Sequence, residues 1–282
     1  MLQLAPFFIE GIKKQYGQYL EPKTKVGVIE ISGIIYSSDG YHKILQNYFK
    51  DKEIKAILVK IECPGGAAGS AQAIFNEIQQ LKKEYPKPII SLVENVCASG
   101  GYYVACATDQ IITPGTAIIG SIGTSFPYLF KLKELCDYLK IHVESAKAGS
   151  YKDMTNPFVD ATPQDRVLLQ ALLDDSYQQF TQDVAAARKL SIATLGTWAD
   201  GKIFTGRQAL ELGLIDIVGS AHTAIALIKE KAFIEGEIEW IHKKAPSGIA
   251  RLFGQEDEGS SESLASRIFQ VCSQFLCMKL YL

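Results

Sequence analysis

The sequence lacks any block of lysine or arginine: 29 basic residues stand against 31 acidic ones over 282 positions, for a net charge of −2. That balance excludes the basic face with which proteins neutralise phosphates, and no nucleic-acid partner is expected. Long apolar runs are absent too. No stretch reaches the roughly 18 apolar residues that span a bilayer. The opening segment Met1-Leu-Gln-Leu-Ala-Pro-Phe-Phe-Ile-Glu10 has no basic start and is broken by Pro6 and Glu10. It makes a poor secretory signal. With neither a transmembrane anchor nor a clear signal peptide, a cytoplasmic or peripherally membrane-associated location is expected. The six cysteines (Cys63, Cys97, Cys106, Cys136, Cys272 and Cys277) form no CxxC pair. They indicate neither a metal site nor a disulfide framework, and they read as free thiols that behave as small buried hydrophobes. Histidine is scarce, at four residues.

What is present is an ordinary globular composition, 47% hydrophobic and 21% charged, enough to bury a substantial core. From about residue 25 onward, β-rich runs alternate with helical patterns. Val26–Ile31, Ala56–Ile61 and Pro88–Val93 read as strands, and helices are expected around 41–49, 70–83 and 100–107. Shorter strands are expected near 110–113 and 118–122. A long helix over 163–190 opens at Thr162-Pro163, and another runs from Phe204-Thr205-Gly206 to its stop at Gly213. This alternation argues for an α/β fold built on parallel βαβ units. The expected organisation is a helical extension over 1–24, one domain over 25–245, an acidic Ser/Gly-rich linker over 246–263 and an amphipathic segment over 264–282. That last segment carries Arg267 and Lys279 with no acid, which suits a membrane surface.

Three glycine-flanked stretches carry the chemistry. Pro64-Gly65-Gly66 ends a strand and leads into a helix, where backbone N–H groups can hold an oxyanion; a plain strand-to-helix turn has the same signature. Ala98-Ser99-Gly100-Gly101 sits at a second such junction. Its serine has the mechanical setting of a nucleophile elbow without the G-x-S-x-G spacing, and equally that of a helix cap. A serine hydroxyl needs a base. Of His42, His142, His222 and His242, only His142, in the strand-like Ile141–Glu144, is a plausible partner. The third stretch, Ala148-Gly-Ser-Tyr-Lys152-Asp153, offers a lysine instead. A lysine with the free value of about 10.4 becomes a base near neutral pH only when burial or a neighbouring cation strips its proton.

Taken together, these stretches resemble the signal peptide peptidase A family of serine peptidases. Ala98–Tyr103 is similar to that family's nucleophile segment and Gly149–Asp153 to the segment carrying its base, 53 positions apart from Ser99 to Lys152. Cys63-Pro-Gly-Gly66 resembles its oxyanion loop and Gly120-Ser-Ile-Gly123 the stretch placing a serine beside the lysine. Phe204–Asp216 resembles the closing helix and strand. The resemblance implies a crotonase/Clp-protease-like fold of repeated β-β-α units, with Ser99 as nucleophile and Lys152 as general base. It implies a supporting role for Ser121, and Gly66 and Gly100 as oxyanion donors, with the choice between Gly65 and Gly66 left open. It implies extended apolar peptides as substrates, such as remnant signal peptides or unfolded membrane-protein segments. It further implies a homo-oligomeric ring or dome and no metal or other cofactor. Two other classes compete. A crotonase-like acyl-CoA enzyme needs a glutamate acid/base, for which Glu94 is the nearest and poorly placed; a non-catalytic scaffold has no use for both Ser99 and Lys152.

Overall fold

The computed structural model describes residues 23–126 and 129–243. The extension up to residue 22, the whole acidic linker and the amphipathic segment 264–282 lie outside the described residues, as do Cys272 and Cys277. The described residues divide into two compact units, one of residues 23–122 and 186–243, the other of residues 123–126 and 129–185.

In the first unit, β1 (Thr24–Ser32), β2 (Ile54–Cys63) and β3 (Ile89–Ala98) lie side by side in parallel. The helices α1 (Asp39–Lys50) and α2 (Ala68–Glu84) form the crossovers between them. β3 then splits its outer edge between two partners. Ile90–Leu92 pair with β4 (Gln110–Thr113), and Val96–Ala98 pair with β5 (Ile118–Gly120). β6 (Ile203–Thr205) adds to β5 and is the antiparallel member; β7 (Ile217–Val218) adds to β4 and β8 (Ile238–His242) to β1. The result is a mixed eight-stranded sheet with packed helices, in line with the α/β expectation.

Both faces of the sheet are covered, which is why its central strands read as almost unbroken apolar runs. Val26, Ala56, Leu58, Ile90, Leu92 and Ile112 pack with Ala224, Ile228 and Ile234, from the helix Ala221–Lys231 and the turn after it. From α1, the Tyr48 ring lies so close to Gly27 that a Cβ there would stand 2.5 Å from it. The Tyr48 hydroxyl donates to the Ile241 carbonyl at 2.6 Å, joining α1 to the last strand.

The strand β3 is longer than the sequence predicts. Glu94-Asn95 looks like a polar stop, but both residues are exposed, and a register shift between Ile61 and Cys63 absorbs the extra length. Glu62 holds the bulge by accepting from the Asn95 N–H at 3.0 Å and its side-chain amide at 3.2 Å. The strand therefore runs on to Ala98 and delivers Ser99 beyond the sheet edge. The helix α3 (Gly100–Cys106) follows at once, entirely buried. Its Tyr102 hydroxyl donates to the Leu214 carbonyl at 2.7 Å, and nearby Arg188 pairs with Asp216 at 2.8 Å and donates to the Gly213 carbonyl at 3.1 Å.

The second unit contains a short helix α4 (Lys133–Tyr138) and most of α5 (Pro163–Arg188). The start of α5 is capped reciprocally, as Thr162-Pro163 suggests. The Asp165 N–H donates to Thr162 Oγ1 at 3.1 Å, while Asp165 Oδ2 accepts from the Thr162 N–H at 2.8 Å. Residues 141–144 form no strand, contrary to the sequence expectation, and His142 is exposed there.

Burial pushes the Cys106 thiol up to about 12 and the Cys97 thiol and Tyr102 phenol well above their ordinary values. These groups keep their protons in the fold where the unfolded chain has lost them. Their contribution to stability is therefore full below the unfolded value and is lost as pH rises through the folded one. The free energy of unfolding by urea should fall between about pH 9 and 12, and Cys106→Ala should make that slope shallower. An unchanged slope would remove Cys106 from this account.

Candidate active site

Three neighbouring strands of the first unit end at one level of the sheet. Cys63, near the end of β2, is in register with Cys97, and Ala98 with Gly120. The next residues out, the Pro64-Gly65-Gly66 loop, Ser99 and Ser121, thus leave the sheet from adjacent positions. Parallel pairing makes this convergence possible, because every strand presents its C-terminal end at the same edge.

Ser99 is half-buried and adopts φ 50°, ψ −123°, a left-handed conformation that is costly for a residue with a Cβ. Strain of this kind, about 1–3 kcal/mol, persists only where the surroundings over-determine it. Here the Ser99 N–H donates to the Gly120 carbonyl at 2.7 Å, and the Ser99 carbonyl accepts from the Tyr103 N–H at 2.9 Å. The side chain makes no capping hydrogen bond to α3. The helix-cap alternative therefore fails, and the hydroxyl is left for other chemistry. Ser121 repeats the conformation at φ 50°. Its N–H donates to the Lys202 carbonyl at 2.7 Å, while the Gly201 N–H donates to the Ile122 carbonyl at 3.0 Å, so β6's approach loop holds this turn.

The glycine loop closes directly over Ser99. A Cβ added at Gly65 would stand 2.8 Å from Ser99 Cβ, 3.1 Å from Ser99 Oγ and 3.2 Å from the Gly100 nitrogen. One added at Gly100 would be 3.4 Å from the Gly66 nitrogen. The N–H groups of the loop differ in their hydrogen bonds. The Gly65 N–H donates to Cys63 Sγ at 3.3 Å and the Ala67 N–H to the Ile35 carbonyl at 2.7 Å. Among the described residues, the Gly66 and Gly100 N–H groups have no hydrogen-bond partner.

Sequence reasoning did not find the segment that fixes this loop. Gly33–Tyr36, following β1, bridges to Gly66, and the Ile35 N–H donates to the Gly65 carbonyl at 2.9 Å. A Cβ at Gly66 would collide with the Ile35 carbonyl oxygen at 2.1 Å. The Gly33-Ile34-Ile35 run looks like the end of a strand, and only its pairing across the fold reveals its use.

Lys152 belongs to the second unit, on a turn where its N–H donates to the Gly149 carbonyl at 3.2 Å. Its side chain is exposed in the single chain, not buried as a desolvated base requires, because the turn 149–155 has no regular element of its own to cover it. The histidines give no alternative within the first unit. His42 lies 3.5 Å from Glu77 and His242 3.8 Å from Glu30, and His222 is exposed on its helix. Glu94 is exposed and lies 3.7 Å from Lys60. No cluster of His, Cys, Asp or Glu able to hold a metal occurs among the described residues.

Against known proteins, the family model described as Peptidase family S49 matches residues 81–235, a stretch that holds Ser99, Ser121 and Lys152 but begins after the glycine loop. A Synechocystis sp. protein, provisionally named a protease, is 36% identical over 205 residues, covering 72% of each chain. A Methanocaldococcus jannaschii protein, also provisionally named a protease, is 34% identical over 192 residues, 68% of this chain and 61% of its own. The chloroplastic serine protease SPPA of Arabidopsis thaliana is 32% identical over 186 residues, 66% of this chain and 27% of its own. The chain thus spans less than two thirds of the length of the latter two. It belongs to peptidase family S49, the serine-type proteases that include signal peptide peptidase A, with their Clp-protease/crotonase-like fold.

Gly66→Ala should lower stability by about 2 kcal/mol or more in urea denaturation, since it adds both a steric collision with Ile35 and left-handed strain. A variant as stable as the parent would mean that the latch on Ile35 does not hold the loop.

Proposed function

We propose that the chain is a serine endopeptidase that cleaves extended, apolar peptides through a Ser99–Lys152 dyad and an acyl-enzyme. The observation that carries this reading is Ser99 at φ 50° at a strand end, its hydroxyl uncommitted to the helix, beneath the Gly65–Gly66 loop.

In this mechanism Ser99 Oγ attacks the scissile carbonyl while the Lys152 amine takes the hydroxyl proton. The Gly66 and Gly100 N–H groups receive the oxyanion; losing one such donor typically costs about 3 kcal/mol of transition-state stabilisation. As the C–N bond breaks, the proton passes to the departing amine. Water, deprotonated by Lys152, then attacks the acyl carbon and releases Ser99. Ser121 accepts from or donates to the lysine amine and orients it. The exposed Lys152 acquires the dry surroundings of a base when bound peptide, and a neighbouring subunit, cover its turn.

A homo-oligomeric ring or dome fits the surface of the second unit, where Phe130 is 67% exposed and Tyr138 83% exposed, with Leu135 and Leu139 beside them. Apolar exposure on this scale is usual at subunit contacts. Apolar peptides, such as remnant signal peptides or unfolded membrane-protein segments, are the substrate class, and no cofactor enters the reaction.

The test is hydrolysis of an apolar fluorogenic peptide by the parent, Ser99→Ala and Lys152→Ala between about pH 6 and 10. The dyad predicts activity that rises with pH and falls at least about 1,000-fold in either variant. Activity that survives Lys152→Ala but is lost with His142→Ala would assign the base to His142. Turnover of acyl-CoA thioesters without peptidase activity would move the chain to the acyl-CoA class.

A further inference from the structure

Cys63 is wholly buried at the end of β2, beneath the glycine loop. Its sulfur engages both backbone groups of one residue: it accepts from the Gly65 N–H at 3.3 Å, and its S–H donates to the Gly65 carbonyl at 3.4 Å. The Ile35 backbone, which latches the same loop, also bears on the thiol and, with Gly65, offsets part of the rise that burial imposes on it. On the far side, α3 packs so closely that a Cβ at Gly101 would stand 3.0 Å from Cys63 Sγ. The sulfur therefore sits where the loop, its latch and the helix behind Ser99 meet. Of the loop's N–H groups, Gly65 is committed to the thiol and Ala67 to Ile35, while Gly66 is left over beside Gly100.

We propose that Cys63 is a positioning residue of the oxyanion loop: its thiol fixes the Gly65 backbone over Ser99, and thereby the direction in which the Gly66 N–H points. The proposal rests on the Ser99 peptidase reading. A thiol–amide hydrogen bond is weak, but an oxyanion donor displaced by about 1 Å forfeits about 100-fold in rate. The Cys63 sulfur is too enclosed to touch substrate, so it acts through the loop alone.

Cys63→Ser, Cys63→Val and Cys63→Ala separate hydrogen bonding from volume. Serine keeps a donor and acceptor at the cost of size, alanine removes both at a similar loss of size, and valine removes both while adding about one methyl group. With the apolar fluorogenic peptide, Cys63→Val and Cys63→Ala should lose about 10- to 100-fold in kcat with KM changed less than about twofold. Cys63→Ser should keep more than about half the parent kcat. Urea unfolding of each variant identifies any that fails to fold, and the serine–valine pair decides the case if alanine does. Parent-like kcat in Cys63→Val would reduce the thiol to a filler and overturn the proposal. So would equal losses in Cys63→Ser and Cys63→Val, or an effect confined to KM. Ser99→Ala run alongside separates the two levels, because activity surviving in that variant would defeat the peptidase reading whatever Cys63 does.

Discussion

Parallel strand register is the constraint on which the rest of this structure depends. Because β2, β3 and β5 run in the same direction with Cys63 opposite Cys97 and Ala98 opposite Gly120, three loops far apart in sequence leave the sheet side by side. A one-residue slip would turn the whole apolar set of a strand to the wrong face. The buried rows on both faces therefore fix the register, and the register fixes where Ser99 emerges. The hydrophobic core and the chemistry are set by the same pairing. The bulge at Glu62 and Asn95 adjusts the register between β2 and β3, and it sits on the strand that carries Ser99.

Given that register, the strained backbone at Ser99 follows from its neighbours. A carbonyl at Gly120 takes its N–H, the first turn of α3 takes its carbonyl, and the Gly65 backbone leaves room on that side for no Cβ of its own. The energy stored in the φ 50° conformation is offset by the fully buried α3 and by the hydrogen bond from Tyr102 to Leu214 beneath it. The hydroxyl is thereby held at the sheet edge, beside the Gly66 and Gly100 N–H groups, which have no partner among the described residues.

Much of this was legible in the sequence because local signals and tertiary needs agree. The apolar runs of β1 and β2 and the helical pattern over 70–83 lie where the structure has strands and helix. Three kinds of feature were hidden. The continuation of β3 through Glu94 and Asn95 depends on a partner, Glu62, on another strand. The Ile35 latch and the Cys63 contact are long-range or backbone interactions that leave no periodic trace. The burial anticipated for Lys152 is a property of what covers a turn, which the residue types around it do not encode. The last strand, β8, was missed because Ile238–His242 is short and its pairing partner, β1, lies at the other end of the chain.

The central claim, that Ser99 is an activated nucleophile at this sheet edge, is tested most directly by covalent capture. The whole chain would be treated with a fluorophosphonate and the modified peptide located by mass spectrometry. The account predicts one adduct, on Ser99, still formed in Ser121→Ala and absent in Ser99→Ala. An adduct carried by another residue, or labelling undiminished in Ser99→Ala, would contradict it.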